Sequence, residues 1–184
     1  FEYLGNQKAE KSVLAAEVIE SKLNVYLTAA DEDKAVVKEE LSSLIEAAGN
    51  DYKGLYAHMR ALNAEAQVLA EEGDWTGAAA SYIAIADNFP DSYMAPVSLL
   101  NASAMEEESG DIETALTLLE RVIAEYKDLS ADIPEALFNM GRLNEGLGDP
   151  VKAQEYYNRI SDDYSSSSWT NLAKSRIIAL NARS

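Results

Sequence analysis

The sequence predicts an all-α protein, an antiparallel helical-hairpin solenoid of about nine helices. Apolar residues recur at spacings of three and four along the chain, and no stretch alternates as a strand does. The dipeptide Gly-Asp occurs three times, at separations of 37 and 38 residues. A small residue and a bulky stripe follow each Gly-Asp at matching distances. These three observations together indicate an internal helical repeat.

Composition excludes several classes of function before any helix is placed. The 184 residues include no cysteine and a single histidine, His58, which excludes thiolate sites and multi-histidine metal sites. Fifteen basic against 32 acidic residues give a net charge of −17, which repels nucleic acid and anionic membranes. No window of 18 apolar residues occurs. We therefore expect no nucleic-acid partner, no direct membrane insertion, no metal and no cofactor.

The first 50 residues predict two helices. Residues 12–30 carry an apolar stripe, and residues 33–48 carry a second, with Gly49-Asn50 as the expected helix stop. A third helical segment runs over residues 51–72. The stripe of the first helix comprises Ala15, Ala16, Ile19, Leu23, Tyr26 and Leu27. We expect residues 1–50 to form a helical pair that serves as a degenerate repeat or a cap.

Each Gly-Asp pair predicts a tight turn between two antiparallel helices. Glycine supplies the left-handed conformation that ends one helix, and aspartate accepts backbone N–H bonds that start the next. A small residue five positions after the glycine lets the helices approach closely, and bulky residues then form a stripe. The turns are Gly73-Asp74, Gly110-Asp111 and Gly148-Asp149, the small residues are Ala78, Ala115 and Ala153, and the stripes are Tyr82/Ile85, Leu119/Val122 and Tyr157/Ile160.

This pattern resembles the tetratricopeptide repeat family. The small residue that the family places in each first helix reads Ala66, Ser103 and Gly141. The resemblance implies three repeats within residues 51–165, at about 54–91, 92–131 and 132–165, and a C-terminal capping helix within 166–184. These units exceed the family's usual length of about 34 residues, so we expect an irregular superhelical pitch.

A second resemblance concerns location. The segment Phe89-Pro90-Asp91-Ser92, with Ala95 following, resembles a signature of bacterial envelope repeat proteins, which include outer-membrane assembly lipoproteins and an ancillary subunit of the inner-membrane secretion translocon. The resemblance implies a periplasmic or cell-envelope protein anchored by a segment upstream of Phe1. A cytoplasmic location is the alternative.

The negative charge is concentrated in one block. Residues 61–120 contain no lysine or arginine and carry −12 of the total charge. Such a block is either a solvated helical surface or a face that binds a basic segment. The second interpretation predicts basic partners whose affinity falls as salt rises.

In this family the first helix of each hairpin lines a concave groove. Asparagine and glutamine amides there can bond to the backbone of an extended peptide of any sequence. The branch that grips a terminal carboxylate uses a basic clamp, whereas Glu135 stands here at one such position, which disfavours that ligand. The alternative is that these amides are merely solvated, or covered by the terminal helix. The implied groove residues are Arg60, Asn63, Gln67, Val97, Leu100, Asn101, Ala104, Phe138, Asn139 and Arg142.

No residues predict catalysis. His58 lies beside Tyr56 and Arg60 without a serine or carboxylate at triad spacing, so a structural histidine is the favoured interpretation. The predicted function is therefore a non-enzymatic protein–protein interaction scaffold or adaptor, possessing a groove for a segment or domain of another protein. One alternative is a structural protein that self-associates through its repeats or its apolar N-terminal helices. A small-ligand carrier or enzyme would require an enclosed polar pocket.

Overall fold

The computed structural model describes residues 2–127 and 131–182, with side chains from Gly5 onward. This part of the chain forms nine α-helices and contains no strand, as predicted. The helices are α1 (Glu2–Thr28), α2 (Asp31–Asp51), α3 (Tyr56–Glu71), α4 (Trp75–Asn88), α5 (Met94–Ser109), α6 (Ile112–Tyr126), α7 (Ile133–Gly146), α8 (Pro150–Asp163) and α9 (Trp169–Asn181).

The three Gly-Asp turns have the predicted geometry. Gly73, Gly110 and Gly148 have φ angles of 77°, 90° and 78°, the left-handed region in which glycine avoids a Cβ clash. The aspartate that follows each glycine accepts a hydrogen bond from the backbone N–H three residues later, at 2.9 to 3.0 Å. Each turn therefore ends one helix and caps the next, and the chain folds into antiparallel hairpins.

The chain divides into two compact units, Phe1–Ala95 and Pro96–Ser184. In the first unit, α1, α2 and α3 share one apolar core, and α4 packs on α3. The buried hydroxyl of Ser12 on α1 accepts a bond from the Ala57 N–H at 2.8 Å. This bond satisfies one of the otherwise unpaired N–H groups at the start of α3.

The second unit repeats the predicted packing of small and bulky residues. Ala115 and Ala153 are fully buried, and the Ser103 hydroxyl donates to the Ala115 carbonyl at 3.0 Å. Gly141 on α7 faces the fully buried ring of Tyr157 on α8, so closely that a Cβ at Gly141 would lie 2.7 Å from Tyr157 Cζ. The small residues of the repeat thus allow the close helix approach that the sequence predicts.

Three details of the N-terminal prediction are wrong. The third helix, predicted over residues 51–72, begins only at Tyr56. Gly49 does not end α2, which continues to Asp51, and the left-handed glycine is instead Gly54, with φ of 75°. The half-buried Tyr52 packs against the core that α2 shares with α1 and α3. The helix continues past Gly49 because this brings Tyr52 into contact with that core. Leu27, expected on the core-facing stripe, is exposed because it lies beyond the edge of the buried face. The predicted domain limits at residues 50 and 165 stay predictions.

Candidate protein-binding surface

The first helix of each hairpin, namely α3, α5 and α7, carries the predicted groove residues. In the first unit these are Arg60, Asn63 and Gln67 on α3, all half-buried. The Arg60 guanidinium forms an ion pair with Glu20 on α1, with Nε 2.5 Å from Oε1. Its Nη1 also lies 3.4 Å from the Met94 sulfur. Arg60 therefore ties α3 to its neighbours as well as bordering the surface.

The amides of α3 differ from Arg60 because they have no partner in the part of the chain that the structure describes. Neither Asn63 nor Gln67 makes a side-chain hydrogen bond with any residue that the structure describes. Both amides thus keep their donors and acceptors for water or for a bound chain.

In the second unit, α5 presents a partly exposed face of the predicted residues. Val97 and Ala104 are exposed and Asn101 is half-buried, at spacings of three and four that place them on one side of the helix. Glu108, four residues after Ala104, extends this face and is exposed. Leu100, by contrast, is 8% exposed and packs inward. Helical spacing alone could have identified Glu108 as a member of the surface.

On α7 the predicted residues have distinct environments. The Phe138 ring packs on Tyr157 and Trp169, with centroid distances of 5.4 and 5.0 Å. This contact brings α9 against α7, with Trp169 on the Phe138 side. Asn139 is half-buried and makes no side-chain hydrogen bond with the described residues. Its amide is therefore available in the same way as that of Asn101, which likewise has no such bond.

Arg142 is held by an ion pair across two helices of the second unit. Its two terminal nitrogens lie 2.6 Å from the two carboxylate oxygens of Glu107 on α5. The Arg142 guanidinium holds the pKa of the Glu107 carboxyl below its ordinary value, against the opposing effect of burial. Bidentate pairing fixes both side chains. The pair joins α7 to α5 next to Glu108 and so orders one end of this surface.

Glu135 adds a carboxylate to the first turn of α7. Burial raises the pKa of Glu135, and the negative charge of Asp132 raises it further. A cation bound beside Glu135 would favour the ionised form and relieve this cost. The surface of the second unit therefore combines free amides with the carboxylates of Glu108 and Glu135.

Eight of the twelve acidic residues in the base-free block already have partners within the chain, namely Asp87 and seven residues whose contacts are of three kinds. Two cap helices, three form ion pairs, and two accept bonds from serine hydroxyls. They are Asp74, Asp111, Glu71, Glu72, Glu107, Glu65 and Glu106. Asp91, Glu108, Glu113 and Glu120 make no such side-chain contact with the described residues. Much of the negative charge therefore serves local structure, and only part of it is open to a partner.

The contacts of His58 with its neighbours are those of a structural residue. Its ring meets Phe89 edge to face at a centroid distance of 5.5 Å, and Nδ1 accepts a bond from the Gly54 N–H at 3.3 Å. Burial and the nearby charge of Lys53 lower the pKa of His58. Within the described ranges, no three histidine or acidic side chains are grouped so as to hold a metal ion.

Residues 98–128 and 135–167 match a family model described as tetratricopeptide repeat. These two segments contain tetratricopeptide repeats. They cover most of the α5–α6 and α7–α8 hairpins, which carry the second and third Gly-Asp turns. Tetratricopeptide repeats generally mediate protein–protein interaction, and proteins built from them are typically non-enzymatic scaffolds.

A "TPR repeat-containing protein" of Treponema pallidum (strain Nichols) is 31% identical to the chain over 140 residues. The match covers 76% of this chain and 58% of the relative, so the chain spans less than two thirds of the relative's length. No solved structure matches the chain with significance. None of the helices in residues 2–127 and 131–182 has the length and hydropathy needed to span a membrane.

Proposed function

We propose that this protein is a non-enzymatic adaptor whose first-helix surfaces bind an extended segment of a protein partner. The observation that carries the proposal is the pair of half-buried amides Asn101 and Asn139, which have no hydrogen-bond partner among the described residues. Tetratricopeptide repeats generally bind proteins, and these amides lie on the helices that line the binding groove in the family.

The amides supply affinity without demanding a sequence. Each can donate to a peptide carbonyl and accept from a peptide N–H, and each such bond contributes roughly 0.5–1.5 kcal/mol net. No internal hydrogen bond has to break first. The Arg142–Glu107 pair stays in place and fixes the helices that present the amides.

Charge supplies the preference for partners with basic segments. Glu108 is exposed without an ion pair among the described residues, and the raised pKa of Glu135 reflects an unfavourable environment for its charge. A lysine or arginine bound near them would improve that environment. Because Glu108 is exposed and Glu135 is only half-buried, salt screens both charges and the affinity falls as ionic strength rises.

The test uses defined peptides. Twelve-residue peptides are selected from a random displayed library against the wild-type chain, synthesised, and titrated by fluorescence anisotropy. We expect the double variant Asn101→Ala/Asn139→Ala to raise Kd about tenfold, since two hydrogen bonds are lost. The variant Asn63→Ala/Gln67→Ala tests the surface of the first unit in the same way.

The matched control is Asn50→Ala/Asn158→Ala, which removes two exposed amides from the second helices α2 and α8. It should leave Kd unchanged. Helix content by circular dichroism should be equal in all variants. Selected peptides that bind every variant with the wild-type Kd, or with a Kd independent of salt between 0.05 and about 0.5 M, would refute the proposed surface.

We also propose that the protein works in the bacterial envelope, held by an anchor upstream of Phe1. This proposal rests on the resemblance carried by Phe89-Pro90-Asp91-Ser92 and Ala95. Fractionation of cells that express the complete gene product tests it directly. Recovery of the product only in the cytosolic fraction would refute it.

A further inference from the structure

Helix α1 has two apolar faces, and the residues that the structure describes cover only one of them. Ile19, Leu23 and Tyr26 lie in the core of the first unit. On the opposite side, Leu14 and Val18 are 61% and 50% exposed. Val25 continues this stripe and is 46% exposed. Scattered exposed apolar residues need no explanation, but an aligned row on one helix indicates a binding surface.

The spacing of the exposed row is that of a coiled-coil seam. Leu14, Val18, Ser21, Val25 and Thr28 are separated alternately by four and three residues, which is the a/d pattern of the heptad. In this register the valines occupy a positions and Leu14 occupies a d position. β-Branched residues at a with leucine at d favour two parallel strands.

The charges beside the seam are complementary to those of an identical helix. In the same register Glu17 is a g residue and Lys22 is the e residue of the next heptad. In a parallel pair each g side chain meets the following e side chain of the partner, so Glu17 of each copy meets Lys22 of the other. Lys22 already pairs with Glu40 on α2, with Nζ 2.6 Å from Oε2, and because an ammonium has three donors it can lie between Glu40 and Glu17 of the other copy.

A neighbouring residue of α2 enlarges the same surface. Val36 is 61% exposed and lines a cleft together with Val25 and Val37. The apolar area therefore runs from the seam of α1 onto α2. Because α1 is already anchored to α2 and α3, its ordering is not part of the cost of association.

From these observations we propose that α1 is a homodimerisation element, which pairs in parallel and in register with α1 of a second copy. The seam runs from Leu14 to Thr28, with two Glu17–Lys22 pairs at its flanks. This interaction is distinct from partner binding by α5 and α7 and does not depend on it.

The first test measures the oligomeric state of the whole chain by sedimentation equilibrium at 1–200 µM. We expect a dimer for the wild type and a Kd at least about tenfold higher for Val18→Glu/Val25→Glu, because four charges would enter the seam. The matched control is Val151→Glu/Ile178→Glu, which places the same charges on exposed apolar positions of the second unit and should leave the dimer intact. Circular dichroism checks that each variant is folded.

The second test examines the charge pairs by mixing two variants. Glu17→Lys alone and Lys22→Glu alone each create two like-charged contacts in a homodimer. The mixed dimer of these two variants has two opposite-charge contacts. We therefore expect the mixture to form heterodimers in preference to either homodimer. A purely statistical distribution, in which heterodimers are twice as abundant as either homodimer, would overturn the parallel register.

The third test uses the absence of native cysteine. Ser21→Cys at the d position should form an intermolecular disulfide under mild oxidation, because d residues of a parallel pair lie opposite each other. Ser175→Cys on the exposed side of α9 is the control and should stay reduced at the same protein concentration. Equal cross-linking of the two variants would contradict the proposed contact.

Two further outcomes would overturn the proposal. One is a wild-type chain that stays monomeric at 200 µM. The other is a monomer that floats with phosphatidylcholine vesicles, which would assign the stripe to a lipid surface. The dependence on salt distinguishes this dimer contact from the peptide-binding surface. The dimer Kd should change less than about threefold between 0.1 and 0.5 M salt, whereas the peptide Kd should rise.

Discussion

Replacement of Gly141 by alanine should destabilise the second unit, although alanine is the better helix former. A Cβ at this position would lie 2.7 and 2.8 Å from Cζ and Cδ1 of Tyr157, and closer still to Cε1. Ordinary carbon contacts lie near 3.5 Å. The Tyr157 ring is fully buried, and its hydroxyl donates to Glu145 Oε1 at 2.7 Å. The ring therefore cannot move away without breaking other contacts.

The magnitude follows from two opposing contributions. Overpacking of a well-packed core costs about 1–3 kcal/mol. Removing the backbone freedom of a mid-helix glycine returns about 0.5–1 kcal/mol. Because the added Cβ would lie under 3 Å from the ring, we place the overpacking cost at about 2–3 kcal/mol. We therefore expect Gly141→Ala to lower the free energy of unfolding by about 1–2.5 kcal/mol, which for a chain of this length lowers Tm by roughly 2–10 °C.

The assay follows unfolding where the substitution acts. Trp169 packs on Phe138 at 5.0 Å, and the chain contains two tryptophans. In a Trp75→Phe background, the fluorescence of Trp169 reports unfolding of the second unit during thermal and urea titrations. Gly146→Ala is the matched control on the same helix, because nothing lies within 4 Å of its added Cβ. It should be neutral or stabilising.

A double variant tests the cause. In a Tyr157→Leu background the aromatic ring is absent, so Gly141→Ala should become neutral or stabilising, and the coupling energy between the two positions should exceed about 0.5 kcal/mol. The reasoning is refuted if Gly141→Ala matches the wild type or Gly146→Ala in stability, or if its cost is unchanged without Tyr157.

Two other predictions concern the helix turn and the ion pair of the second unit. Asp149→Ala removes the side chain that accepts from the Lys152 N–H at 2.9 Å, and we expect a loss of about 1 kcal/mol in urea unfolding; no loss would contradict the capping role. Glu107 has a lowered pKa beside Arg142, so its stabilising contribution is complete above its ordinary pKa of 4.5 and disappears as pH falls through the lower folded value. The stability difference between wild type and Glu107→Gln should therefore be largest near neutral pH and should shrink as the pH falls below the ordinary pKa of the carboxyl, until Glu107 is protonated in the folded state; a constant difference would contradict this origin.

Features set by a few neighbouring residues were predictable. Gly110 and Asp111 form the turn that their chemistry predicts, since a left-handed glycine and a capping carboxylate act within four residues of each other. The small residue Gly141 and the bulky residue Tyr157 were likewise predicted as parts of the repeat, and the structure shows that they contact each other. The backbone conformation at the turn and the helical spacing of the apolar residues thus determine the hairpin.

Features set by distant residues were not predictable. Gly49 was expected to end α2, but burial of Tyr52 extends the helix. Arg142 was expected to line the groove and face a ligand, yet its guanidinium is already paired with Glu107, which lies 35 residues away in the sequence. A charged residue has many possible partners of similar energy, and only the tertiary structure places these two side chains, on α7 and α5, 2.6 Å apart.

The sequence by itself determined an all-α repeat, the positions of its turns and the residues that let its helices approach. These follow from backbone conformation and helical period, which are local. Only the tertiary structure decided which polar groups are already paired and which stay open, because pairing depends on helices brought together from distant parts of the chain. It showed that Asn101 and Asn139 have no hydrogen-bond partner among the described residues, whereas Arg142 is paired with Glu107. It also showed that no described residue covers one apolar face of α1.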